Sequence, residues 1–144
     1  MISTVYPCLW FEKGAIDAAK FYCDIFPNSE ILSENPWVVH FSLNGKRIML
    51  LNGGKAYQLS EAISLVLECD TQEEIDFYWE KLLQNGGKEK ACGWLSDQYG
   101  LCWQIVPKIL GELMNNPETA PKVFEAFQKM VKYDIQGLID AANQ

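Results

Sequence analysis

At 144 residues, 49% of them hydrophobic and 22% charged, the chain has the composition of one folded domain, able to bury roughly 70% of its extended surface. Its net charge of -7, with 12 lysines and arginines scattered along the sequence, argues against the clustered basic face that nucleic acid or an anionic membrane surface requires. No segment approaches the ~20 apolar residues of a membrane span, and MISTVYPCLWFEKG lacks the basic segment and long apolar run of a secretory signal. The five cysteines (Cys8, Cys23, Cys69, Cys92, Cys102) show no CxxC spacing, and three lie in apolar, strand-like surroundings. The expectation is free thiols in a reducing cytoplasm.

In chain order, TVYPCLWF (residues 4–11) reads as a first strand. Gly14 then opens a helix that carries Ala15, Ala18, Ala19, Tyr22, Ile25 and Phe26 at helical spacing. Pro27-Asn28 stops it, and SEIL begins a second extended segment. WVVHFSL and RIMLL flank Asn44-Gly45-Lys46, a strong hairpin signal because both turn residues need positive φ. AISLVLEC is the next strand. Thr71-Gln72-Glu73-Glu74 follows as a capping box, before a helix with Ile75, Tyr78, Trp79, Leu82 and Leu83 on one stripe. Asn85-Gly86-Gly87 ends that helix. KEKACGW and LCWQIVP read as strands, with SDQYG as the turn between them.

The order strand, helix, strand, strand, strand therefore occurs in residues 1–53 and again in 61–107, joined by the polar connector GGKAYQLSE. After Pro107 the chain turns helical through residues 108–144: ILGELM, a helix initiated at Pro117 with Val123, Phe124, Phe127 and Met130, then IQGLIDAA. Their apolar faces are too broad to stay exposed in a monomer of this size.

Taken together, PCLWF, AAKFYCDIFPNSEI, FSLNGKRIMLLNGG, EAISLVLECDTQEEIDFYWEKL and CGWLSDQYGLCWQIVP resemble the vicinal-oxygen-chelate superfamily of glyoxalases, bleomycin-resistance proteins and extradiol dioxygenases. Within it the chain is similar to the PhnB-like group, also known as the 3-demethylubiquinone-9 3-methyltransferase domain. The resemblance covers roughly residues 4–115. It implies an α+β fold of paired βαβββ modules whose curved sheets form a cup, spanning residues 1–144 as one domain. It also implies a homodimer.

Metal-using members of such a superfamily draw His, Glu or Gln ligands from the first and last strands of each module. Strand parity places Ser64 where a ligand histidine would stand and Gln104 at the usual carboxylate position. Met49 or Leu51, and Tyr6 or Cys8, fall at the corresponding first-module positions. Tyr, Ser, Met and Gln are a poor donor set for divalent ions, and one histidine cannot make a two-histidine site within a subunit. The expectation is a cup with no metal and no cofactor. The glycine pairs Gly53-Gly54 and Gly86-Gly87 begin no recognisable nucleotide-binding helix, against the methyltransferase name.

Parity also turns His40 and Ser42 toward the cup, away from Val39, Phe41 and Leu43. His40 reads as a general base or a ligand-orienting donor, or as a partly exposed strand residue bonded to a neighbour; the lack of an acidic partner favours the second. Cys8 could pair with His40 as a nucleophile, although such a cysteine is more often a small apolar filler. Tyr6, Trp10, Met49, Leu51 and Trp94 would give apolar walls, with Gln104, Ser64, Ser42, His40 and Asn52 as polar anchors. Two functional classes follow: a module that binds a small, partly apolar organic molecule, or a metal-independent enzyme acting in the same cup.

Overall fold

Two units, Met1–Leu59 and Ser60–Gln144, carry the two copies of this element order in the computed structural model, which describes residues 1–144. The first holds β1 (Cys8–Phe11), α1 (Ala15–Ile25), β2 (Glu30–Glu34), β3 (Val38–Leu43) and β4 (Lys46–Asn52). Its sheet runs β1-β4-β3-β2, with β1 parallel to β4 and the other pairs antiparallel. The first strand is shorter than its apolar pattern predicts, since residues 4–7 lie outside it. Pro7 has no N–H to contribute to a ladder, although its carbonyl accepts from the Met49 amide.

Asn44 and Gly45 take φ of 49° and 82°, the left-handed turn that the Asn-Gly pair favours. That turn pairs Leu43 with Lys46 and so fixes which side chains share a face throughout the unit. Leu9, Val39, Phe41, Ile48 and Leu50 are buried on the side covered by α1. The helix presents Ala15, Ala18 and Ala19, small enough for close approach, and Tyr22, which stacks on Phe41 at 6.0 Å. No side chain of the Gly14 turn caps α1. Instead Asn52, at the end of β4, accepts the Ala15 N–H at 2.9 Å and donates to the Pro36 carbonyl at 3.1 Å. Asn52 is thus a helix cap supplied by a neighbouring strand.

The second unit holds β5 (Ser64–Cys69), α2 (Gln72–Leu83), β6 (Lys88–Glu89), β7 (Trp94–Ser96) and β8 (Cys102–Pro107), in the sheet order β5-β8-β7-β6. Three helices follow: α3 (Lys108–Met114), α4 (Ala120–Phe127) and α5 (Ile135–Ala142). Leu95, Trp103 and Ile105 are buried on the face covered by α2, whose Ile75, Trp79 and Leu82 are buried with them. Thr71 caps α2 by accepting the Glu74 N–H at 3.2 Å. The reciprocal half of the capping box is replaced by a bond from the Thr71 hydroxyl to the Glu74 carboxylate.

KEKACGW is not one strand but a hairpin. Cys92 and Gly93 take φ of 60° and 80°, which turns the chain between β6 and β7. Pro117 likewise does not initiate a helix; α4 starts at Ala120, with Pro121 in its first turn, where a missing N–H costs nothing. The C-terminal helices are tied to this unit by the strap between α4 and α5. Cys92 and Gly93 donate to the carbonyls of Met130 and Val131, and Gln72 bonds both the Tyr133 carbonyl and the Ile135 N–H. Lys132 pairs with Asp76 at 2.7 Å. Val123, Tyr133, Leu138 and Ala141 are buried inside the unit, so a second copy of the chain is not needed to cover them.

Candidate functional site

Each sheet leaves one face uncovered by its own β-α-β helix, and the sequence-predicted site residues divide between these two faces. In the first unit the register aligns Cys8, Met49, His40 and Ser33 as one row across β1, β4, β3 and β2. Trp10, Leu51 and Val38 form the next row, and Glu30, Ser42 and Arg47 the row on the other side. His40, Ser42, Met49 and Leu51 are half-buried here, while Cys8 is exposed.

Arg47 is missing from the residues that the sequence singles out, and it organises this face. Its guanidinium lies 4.1 Å from the Tyr6 ring centroid, a cation–π distance, and its Nη2 is 3.2 Å from His40 Nδ1. The Tyr6 ring meets the His40 ring edge-on at 5.7 Å. Because a guanidinium only donates, Nδ1 of His40 is the acceptor, and the neutral ring carries its proton on Nε2. Arg47 stands two residues before Met49 on one strand, so parity alone assigns it to the face of Met49.

Cys8 and His40 do not form a pair. They flank Met49 on opposite sides, two strand spacings apart, about 9.5 Å. Partial desolvation against the sheet also pushes the Cys8 thiol up, away from thiolate character. Trp10 leans on the connector: its indole N–H donates to the Gly54 carbonyl at 2.9 Å, and Tyr57 meets its ring edge-on at 4.9 Å. A Cβ on Gly53 would stand 2.4 Å from that indole. The Gly53-Gly54 pair therefore accommodates tryptophan. Gly87, where a Cβ would meet the Leu83 backbone at 2.6 Å, serves the end of α2.

In the second unit Gln104 sits between Val66 of β5 and Trp94 of β7 in the register. Its Nε2 donates to Ser64 Oγ at 2.9 Å. The two positions predicted to match metal ligands are thus bonded to each other, and both are neutral. Val66 is 59% exposed on this face, and Trp94 is half-buried. A Gln carbonyl and a serine hydroxyl alone do not fit a divalent ion, and nowhere in the chain do three His, Cys, Asp or Glu side chains converge on a shared point.

Behind this face lies a residue that the strand and helix patterns do not mark. Asp97, 3% exposed, accepts the Tyr99 N–H at 2.9 Å and the Leu101 N–H at 3.1 Å through Oδ1, and the Trp103 indole N–H at 2.9 Å through Oδ2. It closes the SDQYG turn and locks β7 against β8, which in turn places Trp94 beside Gln104. The acid in a short turn just before a strand tryptophan is the signal that would have found it.

A further cleft of about 220 Å³, lined by Lys122, Glu125, Ala126, Lys129, Ala141 and Gln144, lies between α4 and α5. It is smaller than most ligand pockets and contains none of the residues above.

Two four-stranded sheets of this order, each with one helix packed on one face, define the glyoxalase/bleomycin-resistance class of fold. A putative 3-demethylubiquinone-9 3-methyltransferase, the PhnB protein of Bacillus cereus, is similar at 30% identity, covering 73% of this chain and 99% of that one with a TM-score of 0.65. The fosfomycin resistance protein FosX of Listeria monocytogenes, in its complex with Mn(II) and sulfate, shares the fold at 19% identity, 80% and 98% coverage and a TM-score of 0.60. So does a glyoxalase/bleomycin resistance protein/dioxygenase family enzyme of Burkholderia phytofirmans PsJN, at 12% identity, 69% and 94% coverage and a TM-score of 0.56. Residues 3–106 match the family described as 3-demethylubiquinone-9 3-methyltransferase, and the chain belongs to that PhnB-like family. No curated protein matches the sequence. No helix is long and apolar enough to cross a membrane.

Proposed function

We propose that this chain binds a small, partly apolar organic molecule on its helix-free sheet faces, without a catalytic metal. The observation that carries the reading is the Gln104–Ser64 hydrogen bond. It occupies the two positions where a metal-using relative would hold ligands, and it joins neutral groups that an ion of Zn²⁺ or Mn²⁺ type binds poorly. Val66 and Trp94 stand beside this bond, and the open face of the first unit carries Met49, Leu51 and Val38. Both sets are apolar walls of the kind that small organic ligands fill. The Gln104 carbonyl oxygen and the Ser42 hydroxyl supply polar anchors.

A homodimer belongs to the same reading. Trp37, Tyr57, Val66, Leu32 and Val5 are large apolar side chains left between 49% and 83% exposed. Such surface favours association with a second copy. This reading does not include the methyltransferase activity of the family name: Gly53 packs on the Trp10 indole and Gly87 on the end of α2.

Native mass spectrometry of freshly purified protein tests both parts. The expected spectrum is a dimer of the 16.4 kDa chain with a co-purifying small molecule that dissociates on activation. A stoichiometric metal that is lost in Gln104→Ala overturns the metal-free reading. A clean monomer at micromolar concentration overturns the dimer.

A further inference from the structure

The chain contains one arginine and one histidine, and they are bonded to each other on the helix-free face of the first sheet. We propose that Arg47, with His40, binds the carboxylate of an organic acid whose apolar body lies along Met49 and Leu51. The proposal rests on the small-molecule reading above and adds the charge and the head group of the ligand.

Three observations support it. First, Arg47 is clamped rather than loose: the Tyr6 ring at 4.1 Å and His40 Nδ1 at 3.2 Å hold the guanidinium in one orientation, which lowers the entropy lost when a ligand binds. Secondly, Arg47 makes no ion pair in a chain that carries 19 acidic residues, although two lysines, Lys90 and Lys132, do. A guanidinium has five N–H donors in a planar fork, and the bond to His40 leaves the others without a protein acceptor. Thirdly, the tautomer that this bond imposes leaves His40 Nε2–H as one more donor on the same face. Donors without acceptors, next to the half-buried Met49, match an apolar body ending in a planar oxyanion. A carboxylate meets an arginine fork with two parallel bonds.

Benzoate and its neutral isostere benzamide provide the test, followed by heteronuclear NMR of the full chain. The single arginine gives one Nε–H signal and the single histidine one imidazole set, so neither needs assignment against competitors. Saturable benzoate shifts of both signals, absent with benzamide, together with an affinity read at the His40 signal that is weakened about ten-fold or more in Arg47→Gln, would support the proposal. Arg47→Lys keeps the charge and loses the fork, and an intermediate affinity is expected.

Equal responses to benzoate and benzamide overturn the carboxylate assignment and leave the small-molecule reading standing. The carboxylate assignment also falls, alone, if both compounds shift the backbone amides of Met49 and Leu51 but not the arginine signal. If neither compound moves any of these signals, the proposal fails together with the reading it rests on.

Discussion

Asparagine in place of Asp97 would separate the two jobs of that buried carboxylate. The substituted side chain keeps one oxygen for the Tyr99 and Leu101 amides, at 2.9 and 3.1 Å in the native chain. Its NH₂ group then faces the Trp103 indole N–H, where Oδ2 now accepts at 2.9 Å. Two donors cannot bond each other. The stranded indole N–H should cost about 1–3 kcal/mol, and losing the charge on the other two bonds about 1–2 kcal/mol more. Urea unfolding at equilibrium should therefore show Asp97→Asn destabilised by about 2–5 kcal/mol with its slope unchanged. In a Trp103→Phe background the stranded donor no longer exists, so the same substitution should cost about 1–2 kcal/mol. The expected coupling is about 1–3 kcal/mol. A cycle in which Asp97→Asn costs the same in both backgrounds, within about 0.5 kcal/mol, would refute the assigned role of the Oδ2–indole bond.

Two further outcomes follow from burial. Burial pushes the Tyr133 phenol up from 10.0 to about 12, with Cys92 adding to the rise, so the folded state favours the neutral ring. Below pH 10 the phenol is neutral in both states and its contribution is complete. Above pH 10 the unfolded chain ionises first, and stability should fall by about 2 kcal/mol by pH 12. Denaturation midpoints across that window should decline less in Tyr133→Phe, and parallel declines would contradict the assignment. Among the thiols, burial pushes Cys69 up to about 11 and also raises Cys102, and both side chains are enclosed. A thiol reagent followed by mass mapping should modify exposed Cys8 first and reach Cys69 and Cys102 only on unfolding. Early labelling of Cys69 would show that the second unit opens locally.

Much of the fold is legible in the sequence because its signals are local. Asn44-Gly45 demands a left-handed turn whatever surrounds it, and that turn sets the register that aligns His40 with Met49. The alternation in VVHFSL and CWQIVP separates core from open face, and the buried Val39, Phe41, Trp103 and Ile105 obey it. Where local signals mislead, a neighbouring element decides. KEKACGW looks continuous, yet Gly93 has the Tyr133 ring where its Cβ would be, 2.3 Å away, so a turn bound to the C-terminal strap interrupts the run. Asn52 looks like a pocket polar group, yet an uncapped helix start lies within reach of it.

Element order, strand faces and family follow from the order of residues alone, since periodicity, turn chemistry and residue type act over a few neighbours. Ser64 and Gln104 share a face for the same reason. That those two bond each other, and that Arg47, Tyr6 and His40 form one cluster, is settled by folding in three dimensions. Such partnerships join residues up to 41 positions apart along the chain (Tyr6 to Arg47), and a hydrogen bond depends on distance and direction that parity does not encode.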